Sequence, residues 1–331
     1  MLVNLITLAA GDAPLDPLGH VLDKDVIGSG YFALTMNTIM MVVAGAVAVG
    51  LTWFAGKAIA TGPESLGNER YVTKGRFAQI FEVFVLYLRD EVVRPNLGDQ
   101  SNKWMPFLLT TFFFILSANF LGLVPLIDLQ YLVGKLAIAV GLYEGSYTDF
   151  KVVGGTATGR WTTTLALATI AFIAWTYQGI RQMGVGGFFG HFTGGVPASM
   201  WPLWIIMIPV EIIGTFVKPA ALTIRLFANM TAGHILLAVL IGFSGLGVAV
   251  LSEAFGATGG FVLSLPVIAI SIVASVAIFF LEVFVALLQA FIFMFLTTIF
   301  IAQMSHHHDD HEHDHAEHDA HEPVPAGAVP A

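Results

Sequence analysis

Apolar runs of about 20 residues or more, long enough for a helix to cross a hydrocarbon core, recur along the chain at 31–55, 105–127, 161–180, 201–243 and 261–304. The segments between them are polar or rich in glycine. Residues 57–103 hold seven bases and six acids around the mostly apolar stretch 77–88, which predicts an interfacial amphipathic helix and a solvated loop. Residues 128–160 are polar and glycine-rich apart from 132–142, which is too short to cross, so they are expected to form a loop, a re-entrant or a surface segment. Residues 181–199, which hold His191, read as a short interfacial turn. The run 201–243 would be on the order of 60 Å long as one helix and must tilt, bend or break. Lys218-Pro219 supplies the expected break, because Pro219 has no backbone N–H and its ring crowds the preceding turn. Residues 244–260 read as a loop, and 261–304 is a second overlong element with Pro266 near its start.

The pattern predicts an all-α integral membrane protein with about five crossings, one interfacial amphipathic helix and two long tilted or broken C-terminal helices. Residues 1–30 form an N-terminal segment on the outer side, 31–304 a single membrane domain, and 305–331 a disordered tail rich in His and Asp.

Composition agrees with that assignment. The chain is 56% hydrophobic and 11% charged, with a mean hydropathy of +0.79, where soluble domains carry about 25% charged residues. There are no cysteines, which excludes disulfide frameworks and thiol chemistry. The net charge of −9 comes largely from the tail, which has seven acids and no base, leaving 16 acids against 14 bases elsewhere. A near-neutral membrane body offers no clustered Lys and Arg for nucleic acid. The run 2–10 is apolar but lacks the basic start of a signal peptide. Placing 57–103 and Arg181 on one side of the membrane collects eight bases there, against Lys24, Lys135, Lys151 and Arg160 on the other. Five crossings then put the N-terminus outside, the C-terminus in the cytoplasm or matrix, and 128–160 outside.

Ionisable groups inside the apolar runs carry the functional signal. An arginine at the bilayer centre costs about 2.5–3.5 kcal/mol on insertion scales, so Arg225 implies a protein interior or a wet cavity. Glu211, Lys218 and Arg225 are seven residues apart, a spacing that returns to within about 20° of the same helix face. Asn229 extends the stripe by a turn. His234, nine residues from Arg225, points to the opposite side of a regular helix. Glu282 and Gln289 share a face of the last element, where a lone carboxylate calls for a partner. Polar pairing between packed helices could explain one such residue, but five ionisable groups together point to transport.

Other motifs carry less. Gly154-Gly-Thr-Ala-Thr-Gly-Arg160 has the glycines of a phosphate loop but Arg where Lys is required, and no strand precedes it. His306, His307, His308, His311, His313 and His315 could ligate zinc, nickel or copper, yet a charged tail without apolar residues does not hold ligands in fixed geometry. His20 reads as a local structural contact.

The stretch Pro209-Val-Glu-Ile-Ile-Gly-Thr-Phe-Val-Lys-Pro-Ala-Ala-Leu-Thr-Ile-Arg-Leu-Phe-Ala-Asn-Met-Thr-Ala-Gly-His234 resembles the signature of the subunit a family of F-type ATP synthases. Phe113-Phe-Ile-Leu-Ser-Ala-Asn-Phe-Leu-Gly-Leu-Val-Pro125 and Leu281-Glu-Val-Phe-Val-Ala-Leu-Leu-Gln-Ala290 resemble the family's second crossing and last helix. With 17–23 and 162–168, the similarity covers most of 16–304. It implies a stator that holds two offset half-channels against a rotating ring of c subunits, with peripheral-stalk b subunits and other synthase subunits as further partners. It also implies protons as cargo, no cofactor, no nucleotide chemistry in this chain, and an energy-transducing membrane, bacterial inner or mitochondrial inner. Arg225 matches the family's essential arginine, which faces the c-ring carboxylate, favours its ionised form and blocks leakage between half-channels. His234 and Glu282 match positions of the outer half-channel, Glu211 the inner one, and Asn229 and Gln289 polar positions beside the arginine. Lys218 is a further candidate, with snorkelling to an interface as the alternative. The long 128–160 loop and the His/Asp tail depart from the family pattern.

Two rivals make different demands. A cation/proton antiporter would often carry internal repeats, and none is visible between the halves of the sequence; a membrane scaffold would use the polar stripes only for packing. An intramembrane enzyme lacks a His-Glu-x-x-His motif in a span and any nucleophile with a plausible base.

Overall fold

The structure is a computed structural model that describes residues 25–27, 34–58, 75–124, 126–140, 154, 156–193 and 198–304. The tail with its histidines, residues 1–24 including His20, and residues 141–153 lie outside the described residues. A two-stranded antiparallel ladder, β1 (Asp25–Ile27) with β2 (Leu34–Thr35), precedes the helices. These are α1 (Met36–Ala58), α2 (Arg76–Tyr87), α3 (Arg94–Leu97), α4 (Ser101–Leu123), α5 (Leu126–Ala139), α6 (Trp161–His191) and α7 (Trp201–Gln303). The chain is an all-α, multi-pass membrane protein. Four helical stretches are long and apolar enough to cross: Met36–Lys57, Arg76–Leu123, Trp161–Gly190 and Trp201–Gln303.

The last stretch contains two crossings. At Gly256 the backbone takes φ 74 and ψ 164, which only glycine adopts without strain, and α7 divides there into limbs 201–255 and 257–303. Contacts between the limbs are centred on that turn: Gly247 meets Val267, Gly233 meets Glu282, Asn229 bonds Gln289 and Lys218 bonds Gln303. The two limbs are therefore one antiparallel hairpin, and five crossings result.

Several sequence expectations are corrected. Residues 244–260 are helical except at Gly256, where one positive φ suffices to reverse the chain. Helical backbone also continues through Pro219, so Lys218-Pro219 is not a break; packed helices re-satisfy what a membrane proline frees. Residues 181–199 are not simply a turn, since α6 extends to His191 with a kink at Gly184 (φ 69).

The expected solvated loop after residue 88 is helical too. Between α2 and α3 lies a π-helical turn, Leu88–Val93, which turns Leu88, Val92 and Val93 inward while leaving Asp90 and Glu91 exposed. Arg89 and Arg94 both pair with Asp90, at 2.9 and 3.2 Å. Exposed Phe77, Ile80, Val83 and Tyr87 give α2 an apolar outer face, in keeping with the expected amphipathic helix. Packing centres on Phe112, Trp175, Leu222, Leu226, Phe293 and Met294, all at most 2% exposed, with Trp175 edge-on to Phe300 at 4.8 Å. The start of the first limb of α7 lies on the outside of this core, with Ile205, Ile206, Ile213 and Phe216 each more than 60% exposed.

Candidate functional site

The polar residues singled out in the sequence sit at three levels along the α7 hairpin. Nearest the Gly256 turn is Glu282, 8% exposed. Its carboxylate lies against Gly233, where a Cβ would stand 2.8 Å from Glu282 Cδ. The glycine's missing side chain is the space the carboxylate occupies. Glu282 Oε2 and His234 Nε2 are both buried and neither has a hydrogen-bond partner among the described residues. Glu282 thus lies against the residue that precedes His234 on the facing limb, and no hydrogen bond joins the acid to the imidazole.

The middle level holds Asn229 and Gln289. Asn229 Nδ2 donates to Gln289 Oε1 at 2.9 Å, while Gln289 is 2% exposed with Nε2 unpartnered. Between this pair and Glu282 is a cavity of about 10 Å³ lined by Asn119, Asn229, Met230, Glu282, Val285, Ala286 and Gln289. That volume is about what one water requires, and the amides and carboxylate supply the two to four polar partners a buried water needs. Asn119, fully buried on α4, donates through Nδ2 to the Ala286 carbonyl at 3.3 Å and accepts from Thr158 Oγ1 at 2.8 Å. The 229–289 bond ties one limb to the other, and the 119–286 bond ties both to α4.

Arg225 belongs to this level but faces away from it. It is exposed, and among the described residues it makes no ion pair. Around it Ala221, Ala228, Asn229 and Ala232 are exposed, so the arginine rises from a face of small side chains that another helix can approach closely. The sequence called for a protein interior or a wet cavity around Arg225, and the resemblance for a carboxylate outside the chain; within this chain the arginine is on the surface. Its companions on the heptad stripe are farther along. Glu211 and Lys218 are half-buried, and Lys218 Nζ donates to Gln303 Oε1 at 3.2 Å and lies 5.2 Å from the Phe300 ring centre. Lys218 therefore caps the hairpin's open end, away from Glu282.

The structure brings together Asn229, Gln289, Glu282 and the turn that carries His234, and separates them from Glu211 and Lys218. Sequence reasoning missed Gly233 as a carboxylate seat and the bonded role of Asn119. An asparagine seven residues into the Phe113–Pro125 motif was the available signal for the second; nothing marks a glycine as a seat until its neighbour is known. Among the described residues no cluster of His, Asp and Glu could hold a metal.

The family model of the ATP synthase A chain matches residues 35–302. Three curated relatives named ATP synthase subunit a, one of them subunit a 2, are similar over most of this chain. That of Anaeromyxobacter sp. (strain Fw109-5) is 34% identical over 301 residues, covering 89% of this chain and 61% of the relative. That of Myxococcus xanthus (strain DK1622) is 38% identical, covering 84% and 76%. Subunit a 2 of Prosthecochloris aestuarii is 35% identical, covering 91% and 78%. The chain thus spans a little under two thirds of the Anaeromyxobacter protein's length and about three quarters of the other two.

Proposed function

The chain belongs to the ATP synthase A chain family, and from that premise we propose that it is the proton-translocating stator subunit of an F-type ATP synthase. The observation that carries the proposal is Arg225: a permanent cation, exposed on an apolar membrane helix, flanked by alanines, with no ionic partner among the described residues. Such a charge is costly in lipid and calls for a carboxylate outside the chain. A ring of c subunits would bring carboxylates past it in turn.

The levels of the hairpin support two offset half-channels. Glu282, His234, Gln289 and the cavity lie on the Gly256 side of Arg225, whereas Glu211 lies on the other side. Protons entering near the Gly256 turn would pass between His234 and Glu282 and through the small cavity to the ring. After nearly a full rotation they would leave by the Glu211 side, while Arg225 prevents direct passage by repelling hydronium and holding the arriving carboxylate ionised. Asn229 and Gln289 would hold the two limbs in register beside the arginine. The Gln303 bond and the Phe300 contact favour an anchoring role for Lys218 over one in the path. The distribution of Lys and Arg favours an N-terminus outside and a C-terminus in the cytoplasm, in a bacterial inner membrane, with b subunits of the peripheral stalk and the remaining synthase subunits as partners.

Arg225→Ala tests the proposal. In inverted membrane vesicles the variant complex is expected to assemble and hydrolyse ATP while ATP-driven proton pumping is abolished. Undiminished pumping overturns the reading.

A further inference from the structure

Gly154 and residues 156–160 lie among the helices without belonging to them, apart from the 3-10 turn Ala157–Gly159. Thr156, Ala157 and Thr158 are 6%, 1% and 0% exposed, and the turn packs against α1, α4, α6 and α7. α4 makes room for it at Gly122, where a Cβ would stand 2.9 Å from Thr156 Cβ. A connection that ought to lie on the surface is instead a wedge at a four-helix junction.

Side-chain bonds hold the wedge in opposite directions. Toward the cavity, Thr158 Oγ1 donates to Asn119 Oδ1 at 2.8 Å. Toward the start of α1, Arg160 Nη1 donates to Thr35 Oγ1 at 2.8 Å, and Thr35 is bonded in turn to Thr38 at 2.9 Å. Asn119 is a wall of the cavity beside Glu282, and its amide has two ends of opposite hydrogen-bonding character. With Thr158 donating to the oxygen, the NH2 group must turn to the Ala286 carbonyl, one helical turn beyond Glu282. The hydroxyl of Thr158 therefore decides which end of the amide meets the last helix.

Resting on the proton-path reading above, we propose that this segment is a positioning wedge for proton entry. Thr158 sets the orientation of the Asn119 amide in the cavity, and Arg160 latches the wedge to Thr35. Neither touches the proton; both act through Asn119. A wedge that only filled space would need the shape of Thr158 and not its hydroxyl, and the latch would not need a hydrogen-bond donor at 160.

The test uses the assembled synthase in inverted vesicles, with ATP hydrolysis and the amount of chain measured alongside pumping, and with Arg225→Ala in the same series. Thr158→Val keeps the branched shape and removes the donor. It is expected to slow pumping about tenfold, the rate equivalent of leaving one buried polar group unpaired, while Thr158→Ser retains most of the rate. Arg160→Ala is expected to slow pumping less, by about threefold, with recovery in Arg160→Lys, which still donates to Thr35. In an Asn119→Leu background the further change Thr158→Val is expected to have little effect. Wild-type rates in both Thr158→Val and Arg160→Ala overturn the wedge, as does equal slowing by Thr158→Val and Thr158→Ser. If Thr158→Val fails to accumulate, the Arg160 pair decides alone: slowing in Arg160→Ala without recovery in Arg160→Lys rejects the latch. Normal pumping by Arg225→Ala would instead bring down the underlying function.

Discussion

Glu282 and Arg225 are both ionisable groups on the same hairpin, and the chain treats them in opposite ways. Glu282 is enclosed: Gly233 provides its seat, and Asn119 and Gln289 surround the cavity beside it. Arg225 is exposed among alanines, with no ion pair among the described residues. An enclosed carboxylate with one unpartnered oxygen suits a group that passes protons inside one chain. An exposed cation in a membrane suits a group whose partner arrives from elsewhere. The contrast divides the proposed mechanism into a part this chain performs by itself and a part it can perform only in an assembly.

The strongest expected effect on the enclosed side is that of Glu282→Gln, which keeps size and polarity but cannot carry a proton. Pumping in vesicles should fall by about a hundredfold or more, within the range that loss of a positioned proton-transfer group produces, and an unchanged rate would remove Glu282 from the path. Gly233→Ala should come next. The added methyl displaces the carboxylate without touching its chemistry, so pumping is expected to fall several-fold in a complex that still assembles, and Glu282→Asp, shorter by one methylene, should recover part of the loss when combined with it. A double variant no faster than Gly233→Ala alone would reject the seat. The smallest effect is expected at the junction between the two regions. Asn229→Leu and Gln289→Leu should be non-additive by about 1 kcal/mol in a stability cycle, as expected for one hydrogen bond; additive losses would mean that the pair does not couple the limbs.

Much of this was legible in the sequence because charge inside an apolar run is conspicuous. Heptad spacing put Glu211, Lys218 and Arg225 on one stripe, and Glu282 with Gln289 on one face, and the structure keeps Glu282 and Gln289 together at the cavity. What could not be read depended on partners distant in sequence. Gly233 matters through a side chain 49 positions away, and the run around Gly154 resembled a surface loop because glycine and threonine suit both a solvated turn and a tight wedge. Local breaker signals misled for a related reason: Pro219 lies within continuous helix, whereas the reversal of the chain depends on the backbone of Gly256 alone. Hydropathy alone did not reveal the exposure of Arg225, since it distinguishes membrane from water but not lipid or a partner from protein interior; only the resemblance implied a partner outside the chain.

The outward-facing arginine and its missing partner can be examined directly because the chain has no cysteine. Ile224, beside Arg225 and 54% exposed, can be replaced as Ile224→Cys to give this chain a single thiol in the intact complex, and that thiol can carry a short photo-cross-linker. If Arg225 faces a ring of small subunits, illumination should join this chain to one of them, and the adduct should appear whether or not ATP is present. Cross-links confined to this chain and to lipid would contradict an arginine completed by a partner.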